Sequence, residues 1–123
     1  MKFCYLLCLF YAILYFPSQA QVQEAFADGD FTGNPSWVGN TSSWTVVNGQ
    51  LRSNSSTASS SFYLSTPSAL VADAQWMLYV KLAFNTSGTN YTDVFLTSDK
   101  EDLKNNNNGY FVRIGGTRDE ISL

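Results

Sequence analysis

The chain has 123 residues, a formal net charge of −3, two cysteines and no histidine. Without histidine it has no Ser-His or Cys-His catalytic pair and lacks the usual zinc ligands. An acidic chain with scattered Lys and Arg is also a poor binder of nucleic acid or anionic membrane.

The N-terminus reads as an export signal. Lys2 gives a positive start, "FCYLLCLFYAILYF" at 3–16 is an unbroken apolar run, and "PSQA" places Ser18 and Ala20 before a cleavage point at Gln21. The run is shorter than the roughly 20 residues of a membrane-spanning helix. Residues 1–20 are therefore expected to form a signal-peptide helix and 21–123 the mature domain, secreted or at the cell surface, with no membrane span after cleavage. Cys4 and Cys8 both leave with the leader. Leu6 and Leu7 before Cys8 speak against a lipid-attachment site. The mature domain must then hold together by packing or bound ions rather than by disulfides.

The mature chain opens on "FADGDFTGNPSWVG", residues 26–39. Asp28, Asp30 and Asn34 offer oxygens to calcium, which takes roughly 6–8 ligands. The stretch has no third acid and no terminal glutamate, so it departs from an EF-hand loop. The favoured reading is a structural turn, with Asp28-Gly29 and Asn34-Pro35 as bends and Trp37 on the core edge. Calcium is the one cofactor candidate.

"SWTVVNGQLRS", residues 43–53, predicts a hairpin. Asn48-Gly49 suits the positive φ angles of a two-residue type I′ turn, and Leu51 should point inward and Arg52 outward. "SNSSTASSS" at 53–61 is a polar loop inside the domain, and "FYLST" resumes a strand that Pro67 ends. "SALVADA" is a turn or a further strand. The clearest alternation is "QWMLYVKLAF", residues 75–84, with Trp76, Leu78, Val80, Leu82 and Phe84 on one face. "YTDVFLTSD" at 91–99 is its expected antiparallel partner. "YFVRIGG" at 110–116 is another strand, with Tyr110, Val112 and Ile114 on one face, and "ISL" begins a last one. About eight short strands at this spacing and no helical period predict an all-β antiparallel sandwich.

Glycoside hydrolysis needs two carboxylates roughly 5–9.5 Å apart. Only Asp28/Asp30 and Asp99/Glu101 have the spacing that shares a strand face, and both pairs lie in turn-like segments. The chain is therefore expected not to be an enzyme. Trp37, Trp44, Tyr63, Tyr79 and Tyr91 are candidates for stacking on sugar rings, although aromatics of a small β domain are more often core. The acidic "SDKEDL" reads as a solvated loop. Four Asn-x-Ser/Thr sequons, at Asn40, Asn54, Asn85 and Asn90, are what so Asn- and Ser-rich a chain produces by chance.

Taken together, "FADGDFTGNPSWVGNTSSWTVVNGQLRSN", "YLSTPS", "WMLYVKLAFNTSGTNYTDVFLTSD" and "NGYFVRIGGTRDEISL" resemble the N-terminal domain of large secreted proteins of Bacteroidota that often carry lamin-tail domains and a type IX sorting signal. The hairpin motif W-x-V-x-N-G-Q-L is also similar to concanavalin A-like (laminin G-like) sandwiches. The resemblance implies a jelly roll of the lectin and glucanase type. The Glu-x-Asp-x-x-Glu strand motif of the glucanases is missing, so their catalysis does not carry over. Relatives of this type continue beyond the equivalent of Leu123, so the domain is expected to be a C-terminally incomplete piece. The function this implies is a non-catalytic binding or spacer module whose partners are glycans or other cell-surface components. The alternative is an accessory domain of a secreted hydrolase whose catalytic part lies downstream.

Overall fold

The computed structural model describes residues 22–70 and 72–123. The expected signal peptide, with Cys4 and Cys8, lies outside the described residues, as does Val71 in "SALVADA". Among the described residues no helix is long and apolar enough to cross a membrane, and the helical content is a single 3-10 turn, Thr41–Ser43. The regular structure is otherwise strands in small antiparallel sheets. The chain is all-β.

In chain order the strands are β1 (Val38–Gly39), β2 (Trp44–Val47), β3 (Gln50–Ser53), β4 (Leu64–Ser65), β5 (Tyr91–Ser98), β6 (Gly109–Gly115) and β7 (Glu120–Ser122). β1 pairs with β4, β2 with β3, and β5-β6-β7 form a three-stranded sheet.

The β2–β3 hairpin follows from its turn. Asn48 and Gly49 have φ of 52° and 68°, the left-handed region that a type I′ turn requires at both central residues. That fixes the register from Val47↔Gln50 to Trp44↔Ser53. Leu51 is half-buried and Arg52 exposed, as the alternation predicts. After the polar loop, Phe62 returns edge-on to Trp44, with ring centroids 5.2 Å apart.

β5 and β6 pair from Tyr91↔Gly115 to Ser98↔Gly109, with a register shift between Phe95 and Thr97. Phe95 and Phe111 stand opposite each other, their ring centroids 5.1 Å apart. β7 joins through Ile114↔Ile121. Because opposed residues share a face, one face carries Thr92, Val94, Val112, Ile114 and Ile121. The other carries Tyr91, Asp93, Phe95, Phe111 and Arg113.

The main departure from expectation is 75–84, which forms no strand. Met77 and Tyr79 are 89% and 83% exposed, and Trp76, Leu78 and Phe84 are exposed too. The chain does begin a hairpin there, through a Ser87↔Asn90 bridge. Thr86, however, lies against Gly115, and its hydroxyl donates to Asp119. This draws the preceding residues off the outer edge of β5, where the ladder would have continued. Seven strands therefore form among the described residues rather than about eight. Contacts between elements fall chiefly within each sheet, and Leu64 on β4, 9% exposed, is the most deeply buried apolar side chain described.

Candidate functional site

The opening loop uses its acids on itself. Asp30 Oδ1 accepts from the Phe31 and Thr32 amides at 2.6 and 2.8 Å, and Oδ2 accepts from Thr32 Oγ1 at 2.8 Å. These bonds hold the Asp30 carboxyl below its ordinary value, the Thr32 hydroxyl contributing most. Asp28 Oδ1 accepts the Asp30 amide at 3.1 Å. Asn34 is exposed and precedes Pro35 through a cis peptide bond. The loop closes with the Trp37 amide donating to the Phe31 carbonyl at 2.9 Å, and Trp37 lies against Phe26, ring centroids 6.2 Å apart. Each of these contacts belongs to a turn. Among the described residues no group of three or more His, Cys, Asp or Glu is arranged to hold a metal.

The five aromatic candidates do not converge. Trp37 and Trp44 are half-buried in separate aromatic pairs, and the indole Nε1 of each is enclosed without a hydrogen-bond partner. Tyr63 lies under the Lys104 ammonium, 5.6 Å from its ring centroid. Burial raises its phenol above the ordinary value of 10.0, and the charges of Asp102 and Glu101 add to that. Tyr79 stands in solvent on the unpaired 75–84 segment. Tyr91 alone lines a polar cleft.

That cleft is about 270 Å³ and is walled by Tyr91, Arg113, Arg118, Glu120 and Ser122 with the 115–117 turn. Its Arg113 wall is fixed by strand pairing. Asp93 and Arg113 are direct partners across β5 and β6. The guanidinium donates from Nε and Nη2 to both Asp93 oxygens at 2.7 Å each, a planar two-point contact that Lys cannot make. The same guanidinium lies 3.9 Å from the Tyr91 ring centroid and 5.5 Å from that of Phe111, within the range of cation–π attraction. Tyr91 thus has one ring face held by a cation that Asp93 fixes in turn. At the rim, Arg118 Nη1 is 3.8 Å from Glu120 Oε1, and both are exposed. Each cation in the cleft therefore has its own carboxylate. The surface offered to a ligand is a rigid aromatic edge with guanidinium, hydroxyl and carboxylate hydrogen-bonding groups, without net charge. A second, mainly apolar cleft of about 370 Å³ lies between Trp76, Leu96, Thr97, Tyr110 and Leu123, with no guanidinium or acidic side chain in its lining.

Sequence reasoning found Tyr91 but missed Asp93, Arg113, Arg118 and Glu120. Tyr91 and Asp93 are two apart, which is a signal for one face. Arg113 is 20 residues from Asp93, and only the register brings it opposite. In the other carboxylate pair, Asp99/Glu101, the first acid is engaged within its own loop. Asp99 accepts the Asn108 amide and its side-chain Nδ2, both at 2.7 Å, which closes the 99–108 loop. Compared with protein-family models, curated proteins and solved structures, the chain matched none.

Proposed function

We propose that this is an exported, non-catalytic β module of a secreted or cell-surface protein, with a concanavalin A-like jelly-roll sandwich as its fold, and that it binds glycan in the Tyr91–Arg113 cleft. The observation that carries the reading is the pinned Tyr91 ring. Sugar recognition combines an aromatic face or edge with a few fixed polar groups, and here Asp93 and Arg113 hold the ring before any ligand arrives. A volume just under the roughly 300–1,000 Å³ of ordinary ligand pockets suits one sugar ring rather than a long chain. The non-catalytic part rests on the carboxylates. Both Asp93 oxygens are occupied by Arg113, and Glu120 stands at the exposed rim.

The test is a glycan array followed by calorimetry on the hits. Weak binding, in the range of about 0.1–1 mM, is expected for a single small site, and Tyr91→Ala should abolish it. Arg113→Lys should weaken it, because the ring loses its support. Binding that survives Tyr91→Ala, or no glycan binding at all, overturns the assignment and leaves the spacer role. Release of reducing sugar would overturn the non-catalytic reading.

A further inference from the structure

The sequence contains two Asn-Gly pairs, 48–49 and 108–109, and the fold treats them in opposite ways. Asn48 and Gly49 form the exposed tip of the β2–β3 hairpin. The ladder ends at Val47↔Gln50, so pairing does not engage the Gly49 amide. Nothing crowds the tip; a Cβ at Gly49 would meet only the Phe26 carbonyl oxygen, at 3.8 Å. Asn108 is held on all sides. Its backbone amide and its side-chain Nδ2 both donate to Asp99 at 2.7 Å, and its carbonyl accepts the Asp99 amide at 2.9 Å. Gly109 is wedged against the Thr97 carbonyl, where even a Cβ would clash.

We propose that Asn48 is a site of spontaneous deamidation in this chain, and that Asp99 protects Asn108 from the same reaction. The Gly49 backbone nitrogen attacks Asn48 Cγ, forming a new C–N bond. Its proton passes to the departing amide nitrogen, the Cγ–N bond breaks and ammonia leaves. Water then opens the cyclic imide at either carbonyl, giving aspartate or isoaspartate. Glycine permits the attack because no side chain shields its nitrogen, and asparagine is among the chemically labile residues. At Asn108 the same attack must first pull the carboxamide away from an ionised carboxylate. Isoaspartate adds a backbone carbon to a turn of two residues, which the Val47↔Gln50 register cannot absorb.

The full chain is incubated at mildly alkaline pH, folded and in urea, and peptide maps are read for the amide-to-acid mass change with isoaspartyl methyltransferase labelling. In the folded chain Asn48 should react at least about tenfold faster than Asn108, the factor one charge-assisted hydrogen bond supplies. In urea the two should react at similar rates. Asp99→Ala should bring the Asn108 rate up to that of Asn48 and leave Asn48 unchanged. If that variant loses the β5–β6 sheet, the comparison of folded and urea-unfolded wild type decides alone. Equal rates in the folded chain, a faster Asn108, or no reaction at either pair overturns the proposal.

Discussion

Residues 91–98 and 75–84 carry similar alternation, yet one is the longest strand of the three-stranded sheet and the other forms no strand. The difference lies in what stands across from them. β5 meets Phe111 opposite Phe95 and Arg113 opposite Asp93, and its far end is closed by the Asp99–Asn108 hydrogen bonds. The 75–84 segment has only the Ser87↔Asn90 bridge at its end, and Thr86 leads away from it. Alternation gives a stretch a face; cross-strand pairs give it a partner.

The contrast can be tested most severely at the aromatic pair. Phe111→Ala should cost about 2 kcal/mol in urea unfolding, below the roughly 3–5 of a fully buried phenylalanine because this one is only half-buried. A negligible loss would mean that the sheet is not held at this pair. Arg113→Lys comes next. It breaks the two-point contact on a partly exposed pair, so a loss of about 0.5–1 kcal/mol is expected, shrinking in high salt.

The third test uses pH. Hydrogen bonds from Asn108 hold the Asp99 carboxyl below its ordinary value of 3.8. A group lowered in the folded state stabilises above its unfolded value, and that support is lost as pH falls through the folded one. Amide protection at Asp99 and Asn108, measured relative to the intrinsic exchange rate, should therefore hold down to about pH 3.8 and fall progressively below it. Protection that is flat across this window would detach the loop from Asp99. The smallest effect belongs to 75–84, where Met77→Lys and Tyr79→Ser should each change stability by less than about 0.5 kcal/mol. A loss above about 1 kcal/mol would mean that this segment packs in solution as β5 does.

How much of this was legible in the sequence varies with the distance over which each signal acts. Asn48-Gly49 specifies its hairpin within four residues, so both strands and the sides taken by Leu51 and Arg52 could be read directly. β5, β6 and β7 were visible as separate stretches. Their register was not, because a ten-residue loop and the irregularity between Phe95 and Thr97 intervene. The Asp93–Arg113 contact depends on that register, which is why the cleft was seen only as an isolated tyrosine. The 75–84 strand was misjudged for the converse reason. Its pattern is strong, but the Thr86 contacts with Gly115 and Asp119 that divert it are tertiary.

The three tryptophans are distributed unevenly over these regions. Trp37 and Trp44 are half-enclosed against Phe26 and Phe62, while Trp76 is 43% exposed on the unpaired segment. Their emission should separate accordingly. Light from the first two is shifted to the blue by apolar surroundings, and that of Trp76 is red-shifted and open to a soluble quencher. The protein thus carries its own optical reporter for whether 75–84 is docked or free, with no label attached.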